Sequence, residues 1–137
     1  MKRNTSLVLV FSLLAGIGIS SCTEESVDPA VLNRSSLTGG WMVFESSKKN
    51  TYEVTITIDS TTSNGLLISN FAAAGKNVKA IAYLSGTTLS LTNNELLSNG
   101  WIVNGSGTVS GTTKIDWPYT LHDGANQTSY QATYTKK

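Results

Sequence analysis

Short runs of alternating apolar and polar residues cover most of the chain from residue 38 onward. The clearest run spans 51–59, where every second residue is apolar: Tyr52, Val54, Ile56 and Ile58. A period of two places successive side chains on opposite faces of a strand, so one face is buried and the other is wet. The same pattern predicts eight strands, at 40–45, 51–59, 66–71, 77–84, 87–92, 101–110, 113–121 and 129–135.

Turn dipeptides separate these runs: Asn64-Gly65, Ser85-Gly86, Asn99-Gly100, Ser110-Gly111 and Asp123-Gly124. Short strands joined by such turns predict an all-β fold, and we expect an up-and-down antiparallel β-barrel of about eight strands. A two-sheet sandwich is the alternative, but closure removes exposed strand edges. A turn or two of helix fits only 71–76 or 94–98, and Pro118 predicts an edge or a bulge in its strand.

The first 22 residues have the pattern of a bacterial lipoprotein signal. Lys2 and Arg3 precede an apolar stretch at 7–19, and Ile19-Ser20-Ser21-Cys22 resembles a lipobox. The apolar stretch is shorter than the roughly 20 residues of a transmembrane helix. We therefore predict a cleaved signal peptide at 1–21, a lipidated Cys22, a flexible linker over 22–37 and the barrel domain at 38–137. The lipid would anchor the protein to a membrane without spanning it.

The charge of the mature chain limits the class of ligand that the protein can bind, and the cysteine content limits how its fold is stabilised. Removal of Lys2 and Arg3 would leave eight basic residues against nine acidic ones, so no electrostatic footprint for nucleic acid is present. The acidic cluster Glu24, Glu25 and Asp28 resembles the surface-export signal of Bacteroidetes-type lipoproteins. We expect an outer-membrane location, with export to the cell surface favoured over the periplasmic face. The single cysteine excludes an intramolecular disulfide, so the domain relies on its core.

Three short motifs carry a family resemblance over residues 37–137. Leu37-Thr38-Gly39-Gly40-Trp41 matches the Gly-x-Trp opening of lipocalins and is similar to the opening of avidins. The segment Leu67–Phe71 stands at the centre, and a Gly-rich segment, 105–111, precedes the last two β runs. The domain resembles a small calycin-like (lipocalin/avidin-type) β-barrel lipoprotein of the Bacteroidetes type, most of which have no assigned function.

The resemblance implies structural roles for three residues. Gly39 would permit a sharp turn into the first strand, and Trp41 would plug one end of the barrel. In lipocalins a basic residue near the C-terminus stacks on this tryptophan, and Lys136 is the nearest candidate. No ligand-binding residue of lipocalins or avidins can be carried over, because no motif matches at those positions.

The sequence contains few of the residues and motifs that catalysis or metal binding requires. His122 is the only histidine and lies beside the Asp123-Gly124 turn, so no histidine pair can hold a metal ion. The sequence contains no Gly-x-Ser-x-Gly nucleophile elbow. We therefore predict no enzymatic activity, no cofactor and no metal.

Aromatic residues are the main candidates for binding. Most would fill a narrow barrel, but some could line a small cavity or its mouth. We select Trp117 and Tyr119, which flank Pro118, together with Trp101 and Tyr83. Two functions remain open: a module that binds a small apolar molecule or a glycan fragment, and an adhesin-like or protease-inhibitor-like protein with a filled barrel. Ser60, in Asp59-Ser60-Thr61, matches a short O-glycosylation pattern and should be exposed.

Overall fold

The computed structural model describes residues 32–137, so the predicted signal peptide and Cys22 lie outside the described residues. Nine strands follow one another in chain order: β1 (Gly39–Glu45), β2 (Asn50–Ile58), β3 (Gly65–Ser69), β4 (Lys79–Ser85), β5 (Thr88–Leu91), β6 (Glu95–Leu96), β7 (Ile102–Ser110), β8 (Lys114–His122) and β9 (Gln127–Lys136). Two short 3-10 helices are also present, at Arg34–Leu37 and Phe71–Ala73. None of the helices among these residues is long and apolar enough to cross a membrane.

The sheet closes into an antiparallel barrel of eight strands, which rules out the sandwich. Neighbours run β1-β2-β3-β4-β5-β7-β8-β9, and β9 pairs back onto β1. Strand β6 is an addition: Glu95 and Leu96 pair with the start of β7, beyond the three residues of β7 that pair with β5. All eight predicted strands are present. Of the two places that allowed helix, 71–76 contains the second 3-10 helix, whereas 94–98 contains β6 instead.

Strand alternation separates an apolar interior from a polar exterior. On β8, for example, Ile115, Trp117, Tyr119 and Leu121 are buried while their neighbours are exposed or half-buried. Gly107 lies across from Trp117, and a Cβ on it would stand only 2.8 Å from the Trp117 ring, so glycine makes room for that ring. The small residue on β7 thus allows a large one on β8.

Pro118 corrects a sequence prediction. It lies in β8 with β7 on one side and β9 on the other, so it is not at an edge. The pairs Gly105–Tyr119 and Thr108–Asp116 keep one register, so no extra residue forms a bulge. Instead, the β7–β8 pairing is interrupted between these pairs, where proline offers no N–H to the ladder.

The two ends of the barrel differ. At one, the closed end, the first 3-10 helix packs before β1 and the connections 59–64, 86–87 and 111–113 are short. The compact unit begins at Leu32, and Leu37 is fully buried, so the fold starts before the predicted boundary at Thr38. At the other, the loop end, the connections are 46–49, 70–78, 92–101 and 123–126, two of them long.

Candidate functional site

The closed end contains the predicted Gly39 and Trp41 and satisfies its polar groups. The Trp41 indole is fully buried, and its Nε1 donates to the carbonyl of Leu37 at 2.9 Å. The Lys136 Nζ lies 5.4 Å from the centre of the Trp41 ring and donates to the carbonyl of Ser36 at 2.7 Å. The expected stacking of a basic residue on this tryptophan is therefore present. Gly39 has a φ of 118°, which only glycine adopts readily.

Arg34 stabilises the closed end through hydrogen bonds to backbone carbonyls. Its Nη1 donates to the carbonyls of Asp59, Thr62 and Gly65 at 2.9, 3.0 and 3.0 Å. The first helix is thereby tied to the β2–β3 connection. Ser60 lies in that connection and is exposed, as its proposed modification requires, and the modification itself stays a prediction.

A group of polar side chains lies inside the other half of the barrel. We call it the core cluster; it consists of Glu45, Tyr52, Trp117, Tyr119 and Tyr134. Glu45 is buried at 1% exposure and accepts a hydrogen bond from the Tyr119 hydroxyl. The Trp117 Nε1 and the Tyr134 hydroxyl are buried with no hydrogen-bond partner among the described residues, whereas the Tyr52 hydroxyl lies beside Tyr119 and Glu45. Such groups are rare in native proteins, and each costs about 1–3 kcal/mol.

Burial also governs the ionisation of the tyrosines in the core cluster. The low-polarity interior raises the pKa of Tyr119 above that of a free tyrosine, and Tyr52 and Glu45 add to the effect. Burial likewise raises the pKa of Tyr134, and the pKa of Tyr52 is raised by burial and then by Glu45. All three hydroxyls therefore keep their protons at neutral pH and can donate hydrogen bonds.

Phe71 covers the core cluster from the loop end. Its ring packs edge-on against Trp117, with centroids 5.5 Å apart, and lies 5.0 Å from Tyr119. Tyr130 stacks on Tyr119 at 5.2 Å, and the Lys48 Nζ lies 4.7 Å above the Tyr130 ring. The rings form a continuous column that runs from the solvent at Lys48 to the core at Trp117.

The segment that holds Phe71 has an unusual backbone. Asn70, Ala72 and Ala73 all have positive φ, at 65°, 58° and 59°. For alanine this left-handed conformation costs roughly 1–2 kcal/mol per residue. We call residues 70–73 the Phe71 plug. It is held in place by two side-chain hydrogen bonds of Asn70: the Nδ2 donates to the Glu53 carbonyl, and the Oδ1 accepts from the Gly75 N–H, each at 2.8 Å. The Asn70 backbone N–H also donates to the Val78 carbonyl.

The predicted binding residues are only partly brought together. Trp117 and Tyr119 meet at the Phe71 plug, but both are buried, at 0% and 4% exposure, and the bulge on which their selection rested is absent. Trp101 packs half-buried against the core from the connection before β7. Tyr83 lies on β4 between the inward-facing Ala82 and Leu84, so it faces outward, away from this group.

Glu45 is the residue that the sequence analysis missed. It shares the inward face of β1 with Trp41 and Val43, because the three alternate along one strand. The sequence could have indicated Glu45, because the alternation of the predicted first strand places its charged side chain on the inward face.

Comparison with known proteins supports the fold. No protein-family model matches the chain. No curated protein matches it either. A redesigned beta barrel, b11L5F_LGL, is similar in structure, with a TM-score of 0.53 and 16% identity over 79% of this chain and 99% of that chain. The structure of EF1p2_mFAP2b bound to DFHBI gives a TM-score of 0.48 and 13% identity over 75% of this chain and 95% of that chain. At these identities, the first likeness establishes a β-barrel fold and nothing about function.

Proposed function

We propose that this chain is a calycin-like lipoprotein of the Bacteroidetes type, anchored in the outer membrane through Cys22 and without enzymatic activity. Its barrel binds a small, flat, largely apolar molecule at the loop end. The ligand replaces the Phe71 ring against Trp117 and Tyr119. Because the unpaired groups of the core cluster are hydrogen-bond donors, the ligand carries at least one acceptor atom.

The observation that carries this proposal is the pair of fully buried, unpaired donors, Trp117 Nε1 and Tyr134 OH. An indole N–H can only donate, so its partner must be an acceptor. Both side chains lie beside one another, with ring centroids 5.5 Å apart, and Phe71 covers Trp117 directly. A single acceptor brought in from the loop end therefore reaches the region of both donors.

Movement of the Phe71 plug would give a ligand access to the core cluster. A segment with three left-handed residues is less stable in its closed position than ordinary backbone would be. Movement of residues 70–73 uncovers Trp117 and Tyr119 without breaking the barrel wall. Aromatic surface beneath a removable cover, with a few convergent polar groups, is the usual composition of a small-molecule site.

The test compares two probes of nearly equal size and shape. Coumarin carries a carbonyl acceptor, whereas naphthalene has none. Indole N–H resonances of the ¹⁵N-labelled full chain should respond to coumarin at Trp117 and stay fixed at Trp41, whose donor is already paired. Trp117→Phe should remove the preference for coumarin over naphthalene, and Trp41→Phe should leave that preference unchanged.

A second measurement searches for the natural ligand. Native mass spectrometry of the full chain purified from its own host should detect a bound molecule that Trp117→Ala loses. If no molecule co-purifies and neither probe moves the Trp117 resonance, the small-molecule proposal is wrong.

The lipid anchor is tested separately. Mass spectrometry of the membrane-bound protein should find acyl chains on Cys22, and Cys22→Ser should move the protein to the soluble fraction. Protease treatment of intact cells then distinguishes the cell surface from the periplasmic face. An unmodified Cys22 would remove the anchor from the proposal and leave the barrel site untouched.

One observation favours a different function. Trp41, Phe71, Trp117 and Tyr134 are all fully buried and fill the interior with side chains. A filled barrel suits a protein that uses its outer wall and loops against another macromolecule. Failure of both probes, with a stable fold, would favour that alternative.

A further inference from the structure

The outer wall of β7, β8 and β9 forms a concave surface near the loop end. A cleft of about 200 Å³ is lined by Asn94, Ile102, Asn104, Thr120, His122 and Gln127. A second cleft, of about 360 Å³, shares Asn104 and Thr120 with the first and extends over Pro118, Ser129 and Gln131. Because the two share residues on neighbouring strands, they form one continuous surface, which we call the outer strip.

Strand register arranges the outer strip in rows. Ile102 faces His122, which faces Gln127; Asn104 faces Thr120, which faces Ser129; and Pro118 faces Gln131. Neighbours within a row are about 5 Å apart, and successive rows are about 7 Å apart along the strands. The result is a regular grid of mostly polar side chains on three neighbouring strands.

The outer strip is mostly polar and contains no carboxylate, ammonium or guanidinium group. No Asp, Glu, Lys or Arg lines either of its clefts. A third cleft, on the opposite wall at β2 and β3, is different because Glu53 and Lys76 line it. Amide and hydroxyl side chains both donate and accept hydrogen bonds, as sugar hydroxyls do, and Ile102 and Pro118 offer apolar surface to the C–H faces of a sugar ring.

Two contacts hold parts of the outer strip in position before any ligand arrives. The Asn104 amide donates to the Asn94 Oδ1 at 3.0 Å, and its oxygen accepts from the Asn94 N–H. The His122 Nδ1 accepts a hydrogen bond from the Gly124 N–H at 3.1 Å. Side chains already fixed lose less entropy on binding than free ones do.

We propose that the outer strip binds a neutral oligosaccharide. The distance along β8 from Pro118 to His122 is about 13 Å, which suits a short chain of sugars. A peptide that adds a strand would pair with the edge of β9 over 127–130, where β1 no longer pairs with it, and would lie beside the strip in the plane of the sheet and not across its side chains. No Lys or Arg lines the strip to pair with a phosphorylated or acidic ligand. The second cleft also borders Tyr119 of the core cluster and its neighbour Tyr130. The side chains of Pro118 and Thr120 nevertheless lie on the opposite face of β8 from Tyr119, so the sugar proposal does not depend on the small-molecule proposal.

The test uses β-1,4-linked tetrasaccharides of glucose, mannose and xylose, with tetragalacturonate as an acidic counterpart. Binding to the ¹⁵N-labelled full chain should shift the side-chain amide signals of Asn104, Gln127 and Gln131, while the indole signals of Trp41 and Trp117 stay fixed. At least one neutral sugar should bind saturably, and the acidic one should not.

Matched variants locate the site. Thr120→Val removes one hydroxyl and keeps the shape of the side chain, and Gln131→Ala removes an exposed amide. Each should weaken sugar binding about tenfold, the factor that corresponds to about 1.4 kcal/mol. Thr55→Val, the same change in the third cleft, should have no effect. Coumarin binding should be unaltered in Thr120→Val.

Three results would overturn the proposal: no saturable shift with any neutral sugar, stronger binding of tetragalacturonate, or equal loss of affinity in Thr120→Val and Thr55→Val. Loss of sugar binding in Phe71→Ala, with sugar binding by Thr120→Val unchanged, would show that the sugar binds at the loop-end site and not on the outer strip.

Discussion

The two ends of the barrel each bury a tryptophan completely, but they treat its indole N–H differently. Trp41 at the closed end donates to Leu37 and has Lys136 over its ring. Trp117, beneath the Phe71 plug, has no partner for the same group among the described residues. The fold therefore pairs a buried indole at one end and leaves another unpaired at the other, and this difference is the basis for proposing a binding site at the loop end and not at the closed end.

The largest effect should come from the plug itself. Phe71→Ala removes a fully buried ring, and we expect the free energy of unfolding to fall by about 3–5 kcal/mol. Phe44→Ala on the outer wall is the matched control, because Phe44 is 46% exposed and should cost within about 0.5 kcal/mol. Denaturant unfolding measures both. Equal losses would show that Phe71 is not packed as described.

The tryptophans provide the most direct comparison. Trp41→Phe and Trp117→Phe remove the same atoms from buried sites, but only the first leaves a carbonyl, that of Leu37, without its donor. We expect Trp41→Phe to be more destabilising by about 1–3 kcal/mol. Equal destabilisation would mean that Trp117 Nε1 has a partner in solution.

Alkaline pH should act on the core cluster. Burial raises the pKa of Tyr134, Tyr119 and Tyr52 in the folded state, whereas an unfolded tyrosine titrates near pH 10. The contribution of these tyrosines to stability should therefore be constant below about pH 10. Above that pH it should fall by about 1.4 kcal/mol per pH unit for each such tyrosine, because only the unfolded chain loses the proton.

Tyr134→Phe isolates one of these contributions. Unfolding curves measured between pH 9 and 11, a range of roughly one unit on each side of the tyrosine pKa, should show a shallower decline for this variant than for the parent chain. An identical decline in both would contradict the proposed burial of the hydroxyl.

The smallest effect concerns the backbone of the plug. Ala73 is exposed with a φ of 59°, whereas Ala74 is in the ordinary helical region at −77°. Ala73→Gly should stabilise the protein by about 0.5–1 kcal/mol, and Ala74→Gly should destabilise it by a similar amount. Thermal unfolding of the two variants separates the outcomes. The same sign in both would mean that residues 70–73 are not left-handed.

The barrel could be predicted because its signals are local. Alternation within each strand and a glycine turn after it were enough to place eight strands, whereas the contact of Lys136 with the buried Trp41 was expected only from the resemblance to lipocalins. Strand β6 could not be predicted, because a pair of residues has no period and Glu95 and Leu96 become a strand only through their pairing with β7. Pro118 gave a wrong signal, because an internal strand of this barrel tolerates an interrupted ladder.

The candidate site was harder to predict for a different reason. Trp117 and Tyr119 were selected, but the unpaired state of an indole depends on which carbonyls surround it in space. The Phe71 plug depends on alanines with positive φ, and an alanine in a sequence gives no indication of that conformation. The inward position of Glu45 could have been predicted, because it follows from the alternation along β1. Its role could not, because the hydrogen bond from Tyr119 is visible only in the three-dimensional structure.

The pairing of β1 with β9 has a consequence for how the protein is made. Trp41 finds Lys136 and Val43 finds Tyr134 only after almost the whole domain has been synthesised. Until then the open side of β1 is a free hydrogen-bonding edge, which can recruit a strand from another chain. Contacts between distant parts of a sequence also form slowly. The protein should therefore need protection during its biogenesis, and loss of β9 would turn a closed barrel into an open sheet that aggregates.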